Sequence, residues 1–201
     1  MKLRNVWLFV AALLIIDQVL KIWIKTTMAI GDSIPVFGSW FQLYFVENNG
    51  AAFGMQLSMG SGFDWGKALL SSFRICMIAA IIYYIAKLVR ESAPKGIIIP
   101  IAMILAGAIG NMIDSIFYGL IFSESTTSTI AHFGGSYAPM MMGKVVDMLY
   151  FPLFRWESAP GFLQLLLDSR GYFFGAIFNI ADSYITVAVA YIILFQSKYF
   201  K

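Results

Sequence analysis

Three aspartates stand where a carboxyl group is costly. Asp182, in FNIADS (Phe178 to Ser183), opens an apolar run of about twenty residues, and Asp114 ends another, in AGAIGNMID (Ala106 to Asp114). Asp147 follows two valines beside an aromatic stretch. An acid at the edge of hydrocarbon costs several kcal/mol unless it faces a polar cavity, becomes neutral or finds a partner, so such residues read first as functional. Two carboxyl groups within a few ångströms cannot both ionise and share a proton. One can then activate water while the other polarises a carbonyl, as in aspartic proteases. The same acids can instead bind a cation or relay protons in a membrane carrier or sensor, and the residues alone leave both readings open.

Companion polar residues repeat. Asn111 and Asp114 are three apart, as are Asn179 and Asp182, a spacing that lets each amide hydrogen-bond beside its own carboxyl group. Asp17 and Lys21 are four apart, acid first, which suits an ion pair on one helical face. Other chemistries are poorly supplied. The single cysteine, Cys76, lies in an apolar run, and the single histidine, His132, in a Ser/Thr/Gly-rich loop, so neither a zinc set nor a Ser-His-Asp triad is expected, and no cofactor.

The elements that position these groups follow from composition. With 201 residues, 60% hydrophobic and 12% charged, the chain has too little polar surface for a soluble globule of its size. Long apolar runs, rather than short alternating ones, predict helices rather than a barrel. A net charge of +3, confined to loops and ends, speaks against nucleic-acid binding. The fold expected is an all-α integral membrane protein with four transmembrane helices, a small extracytoplasmic β-rich domain and an interfacial segment, in one domain over residues 1–201. The spans are placed at about 6–24, 68–88, 97–117 and 178–196, the first being a retained span rather than a cleaved leader. Basic residues at the N-terminus and in the loop from Lys87 to Lys95 put both termini in the cytoplasm.

Outside, residues 33–60 form the β-rich part, where Phe41, Leu43 and Phe45 alternate with Gln42 and Tyr44 before the turn at Asn48-Asn49-Gly50. A longer outer segment, 118–171, carries a polar tract and then the aromatics Tyr150, Phe151, Phe154 and Trp156, a composition suited to lying in the membrane interface, with a short amphipathic turn over Phe162 to Leu167. This topology sets Asp114, Asp147 and Asp182 at one membrane level.

Five motifs in order, DQVLK (Asp17 to Lys21), NNGAAFG (Asn48 to Gly54), AGAIGNMID, GKVVD (Gly143 to Asp147) and FNIADS, resemble those of the bacterial lipoprotein signal peptidase (signal peptidase II) family. The resemblance implies a monomeric aspartic endopeptidase of the bacterial inner membrane, without a metal or other cofactor. It would cut the signal peptide from a diacylglyceryl-modified prolipoprotein, just before the lipidated cysteine, among membrane lipids. It implies a catalytic dyad of Asp147 and Asp182, and inhibition by globomycin. It also places Asp17, Lys21, Asn48, Gly50, Asn111, Asp114, Asn179 and Ala181 at positions that shape the pocket or hold substrate. Two departures stand out. Ser115 occupies the place where the family usually has arginine, and Lys144 is the cation expected to replace it beside Asp114. The outer segments flanking Asp147 are also longer than the family pattern suggests.

Overall fold

A computed structural model describes residues 1–49, 65–156, 160–161, 164, 167, 171–173 and 175–200. The first motif lies in α1 (Leu3–Thr27), a helix whose lipid-like side chains Leu8, Ile15 and Val19 are exposed while Asp17, Lys21 and Lys25 are buried. That is the reverse of a soluble helix and the arrangement expected when hydrocarbon is the solvent. α2 (Trp65–Arg90) and α3 (Lys95–Ile113) complete a set of three helices that, among the described residues, are long and apolar enough to cross a membrane, α3 being prolonged to Ile121. The shorter α5 (Ile180–Phe195) is equally apolar.

α3 is the hub. Its small residues let neighbours in: a Cβ on Gly107 would meet the Ala181 carbonyl and lie 2.7 Å from Ile185, and one on Gly110 would lie 2.6 Å from an Asp17 oxygen. The start of α5 and the carboxylate of α1 therefore touch the α3 backbone directly. Beyond Ile113 the helix widens into a π-helical turn (Asp114–Tyr118), followed by the single turn α4 (Gly119–Ile121). The loosened turn leaves the Ser115 carbonyl to accept the Gly143 N–H at 2.9 Å.

A four-stranded antiparallel sheet covers this end of the helices, in the order β1 (Ser33–Phe37), β2 (Phe41–Asn48), β3 (Val145–Tyr150), β6 (Ile177–Phe178). A separate pair is made by β4 (Phe154–Arg155) and β5 (Tyr172–Phe173). β3 is a strand within the region that the sequence reading described as an interfacial segment, where no strand had been expected. VVDMLY is an inner strand, buried at every position but one, and the sheet it completes means that the chain is not all-helical. The glycine-rich stretch from Gly50 to Gly62 lies outside the described residues, as does most of Phe162 to Leu167.

Candidate active site

The strand register brings the carboxylates together. In the β2–β3 pairing Val46 faces Asp147 and Asn48 faces Val145, so Asn48 and Asp147 are diagonal neighbours on one face. The Asn48 amide donates to Asp147 Oδ2 at 3.3 Å. From the other side β6 pairs Phe178 with Leu149 and delivers Asn179, whose amide donates to Asp147 Oδ1 at 2.7 Å.

Asn179 also begins α5. Its side-chain oxygen accepts the Asp182 backbone N–H at 2.9 Å, while the Asp182 carboxylate reaches back to the Asn179 N–H at 3.4 Å, a capping box that satisfies two otherwise orphaned donors. The three-residue spacing of Asn179 and Asp182 is thus a helix cap. The amides themselves cross over, contrary to the expectation that each would serve its own neighbour. Asn111 donates to Asp182 Oδ1 at 2.8 Å, and Asn179 donates both to Asp147 and, at 3.0 Å, to Asn111 Oδ1. A continuous chain of hydrogen bonds therefore runs Asp147, Asn179, Asn111, Asp182.

Lys21 anchors this chain from below. Its fully buried ammonium has three protons and three acceptors: Asp17 Oδ2 at 3.1 Å, Asp114 Oδ2 at 2.9 Å and Asn111 Oδ1 at 2.9 Å. With its oxygen facing Lys21 and Asn179, the Asn111 amide can only point its N–H groups at Asp182. Asp17 has a second task, accepting the Ala181 N–H at 3.1 Å, a first-turn donor of α5 that the capping box leaves over, and Ala181 must be small because it is packed on Gly110. Asp114 accepts the Val146 N–H at 3.3 Å, fixing the strand residue next to Asp147.

Two members escaped the sequence reading. Gln18 donates to Asp17, to the Gly110 carbonyl and to Asp114 at 3.0 to 3.2 Å, and its oxygen accepts the Tyr118 hydroxyl at 3.1 Å. Gln18 lies inside DQVLK, so a polar residue beside a buried acid was the available signal. Tyr118 had none, because its direction depends on the π turn. Lys144 is not the cation beside Asp114, as had been expected. It pairs with Glu47 at 3.5 Å and Glu124 at 3.4 Å, Lys21 holds Asp114, and Ser115 only returns a hydrogen bond to the Asn111 carbonyl. Gly50 falls outside the described residues.

Asp147 is 3% exposed. Burial, and then the charge of Asp182, push its carboxyl up to about 7, against the opposing pull of the Asn179 and Asn48 amides and of Lys21. A carboxyl that keeps its proton near neutrality, one hydrogen-bond relay away from a second carboxyl, can give a proton while its partner takes one.

Comparison with known proteins places this arrangement. The family described as "Signal peptidase (SPase) II" matches residues 9–198. A lipoprotein signal peptidase of Porphyromonas gingivalis is 44% identical over 183 residues, covering 90% of this chain and 77% of that protein. One of Amoebophilus asiaticus is 38% identical, covering 95% and 78%. Among solved structures, a bacterial membrane enzyme determined by the in meso method at 2.3 Å superposes with a TM-score of 0.64 at 26% identity, over 98% of this chain and 89% of that one. A second, at 1.9 Å, gives 0.63 at 25% identity, covering 96% and 92%. With a match this long, and acids and amides of five separate segments converging on one network, the chain belongs to the signal peptidase II family.

Proposed function

We propose that this chain is a membrane aspartic endopeptidase that removes the signal peptide from diacylglyceryl-modified prolipoproteins, hydrolysing the peptide bond before the lipidated cysteine. The observation that carries the reading is the relay joining Asp147 to Asp182 through Asn179 and Asn111. Asp182 takes a proton from water as its oxygen attacks the scissile carbonyl, and Asp147 gives its proton to the carbonyl oxygen. Collapse of the tetrahedral intermediate breaks the C–N bond, and a carboxyl proton passes to the amine of the cysteine. Asn48, Asn111 and Asn179 orient the two acids, and Lys21, with Asp17 and Asp114, fixes those amides and the adjoining backbone. Gly50, two residues after Asn48 in sequence, is assigned to the pocket by the family resemblance.

Peptidase kinship disfavours the carrier or sensor alternative, which would use the same acids for ion flux. The location proposed is the bacterial inner membrane, with the site at its outer face. α5 serves as the fourth crossing: its 16 residues span about 24 Å, and the 3-10 turn Ser197–Phe200 extends it. Basic residues Lys2, Arg4, Lys87, Arg90, Lys95 and Lys198 then lie on the cytoplasmic side with both termini. The chain works as a monomer, bathed in lipid, and needs no cofactor. Incubating purified protein in lipid with a diacylglyceryl-modified precursor tests the reading. Release of the intact signal peptide, blocked by globomycin, is the expected result, and no cleavage in an active lipid environment refutes it.

A further inference from the structure

One buried ion pair takes no part in this chemistry. Lys25, in the last turn of α1, has a fully buried ammonium paired with Glu47, whose side chain is 2% exposed. Ser125 bridges the two, with its hydroxyl 3.0 Å from Lys25 Nζ and 3.1 Å from Glu47 Oε1. Lys144 lies 3.5 Å from the other Glu47 oxygen, and its backbone N–H donates to the Tyr137 hydroxyl at 2.8 Å. The Tyr137 ring is in turn 4.9 Å from Lys25 Nζ.

Burying charges brings little net stability, because desolvation offsets most of their attraction, so the use of such a cluster lies in what it holds in place. Glu47 immediately precedes Asn48, the donor to Asp147, and Lys144 leads into β3, which carries Asp147. The cluster therefore pins the paired ends of β2 and β3 at the point where Asn48 meets Asp147. It ties both strands to α1 one helical turn beyond Lys21.

We propose that Lys25, Glu47, Ser125 and Lys144 are positioning residues of the peptidase, a buried ionic clamp that keeps the Asn48 amide against Asp147. This rests on Asp147 being a reacting group. The clamp acts through Asn48 alone. The other groups that face Asp147 are Asp182, Lys21 and Asn179, with Asp114 behind the Val146 N–H.

The test is Glu47→Ala, read by turnover on a synthetic diacylglyceryl precursor and, independently, by carbon-13 titration of the Asp147 carboxyl in lipid nanodiscs. Losing one hydrogen bond to a carboxylate should lower kcat about tenfold with KM within about twofold, and raise the Asp147 midpoint by about one pH unit. Glu47→Gln, which keeps the contacts to Lys25 and Ser125, should restore most of both. If Glu47→Ala does not fold, Lys144→Met decides. It leaves the Lys25–Glu47 pair intact and should give a smaller shift in the same direction. An unmoved Asp147 midpoint in the folded variant, whatever happens to kcat, overturns the clamp. Because the titration needs no turnover, a wild-type chain that cleaves nothing would sink the peptidase reading and still judge the clamp.

Discussion

Asparagine in place of Asp114 and of Asp147 should do opposite things, although both acids are buried and only 33 positions separate them. Among the described residues, the hydrogen-bond partners of the Asp114 carboxylate are all donors: Gln18 Nε2 at 3.0 Å, Lys21 Nζ at 2.9 Å and the Val146 N–H at 3.3 Å. An amide there puts N–H against N–H and removes half of the negative charge around a fully buried ammonium. Breaking a buried charge pair from one side costs about 3–5 kcal/mol, a large share of the 5–15 or so that holds a domain folded. At roughly 2–4 °C per kcal/mol for a chain of this length, the unfolding midpoint of Asp114→Asn should fall by about 10 °C.

Asp147 differs because it keeps its proton up to about 7. In the folded chain its replacement exchanges one neutral group for another, and its two hydrogen-bonding neighbours, Asn179 and Asn48, are uncharged amides. The midpoint of Asp147→Asn should not fall, and near pH 7 should rise because the amide escapes the cost of keeping a buried carboxyl protonated, while turnover falls by about four orders of magnitude or more. Intrinsic tryptophan fluorescence during heating in lipid nanodiscs, with mass-spectrometric cleavage assays on the folded fraction, reads both quantities. Substantial turnover by Asp147→Asn, together with an inactive Asp114→Asn of wild-type stability, would mean that Asp182 works with Asp114 and that the relay has been misread.

Other expectations follow from the same contacts. Asp182→Asn should be as inactive as Asp147→Asn and the double substitution scarcely worse, since the pair acts as a unit; near-multiplicative losses in single-turnover assays would contradict this. Turnover should decline as pH rises through about 7, where Asp147 loses its proton, and a rate still climbing at pH 8 would count against Asp147 as the acid. The same raised value makes the folded state bind the extra proton. Stability from this group is therefore full below about pH 4 and lost as pH rises to about 7, by on the order of 4 kcal/mol, measurable as a falling unfolding midpoint. Gly143→Ala should yield little folded protein, because a Cβ there would collide with the Asp114 carbonyl and sit 3.0 Å from both Gly119 N and Ser115 O; wild-type yield and midpoint would dismiss that close approach. Chelators should leave cleavage unchanged, because one exposed histidine and one cysteine do not make a typical zinc site, and inactivation reversed by added metal would be the contrary result.

What could be read from the sequence was whatever depended on local spacing. The Asp17–Lys21 ion pair follows from a separation of four on one helix, and the sheet at Phe41 to Phe45 from a period of two on a strand whose neighbour is a hairpin. β3 hid because both of its faces are covered. Apart from Asp147, VVDMLY is apolar throughout instead of alternating, which sequence alone cannot tell from an interfacial or helical piece. The crossing of the two asparagines was equally invisible. Each lies three residues from an aspartate, and only the approach of α3 to α5 through Gly107 and Gly110 makes Asn111 the closer partner of Asp182. Lys144 was assigned to Asp114 on nearness to Asp147 in sequence. On a strand, three residues carry a side chain about 10 Å along, and the direction of Lys144 was decided by Glu47 on the neighbouring strand.

The way Asn179 is used explains why acids on different kinds of element can work as a pair. Asp182 lies inside α5 and Asp147 on β3, and the residue that bonds to both elements is Asn179. Asn179 stands between the two with extended backbone, so its oxygen closes the first turn of the helix while its amide leaves for the strand. Any rotation of that amide breaks the cap and the contact to Asp147 together, which couples the placement of Asp182 to that of Asp147 through one side chain. Lys21 extends the coupling to α1 and α3 through Asn111. The two carboxyls are therefore held by four elements, while their surroundings differ: Asp147 is on a buried strand, which favours a neutral acid, and Asp182 is in the first turn of a helix. Two like residues acquire unlike roles from this asymmetry, with no cofactor to distinguish them.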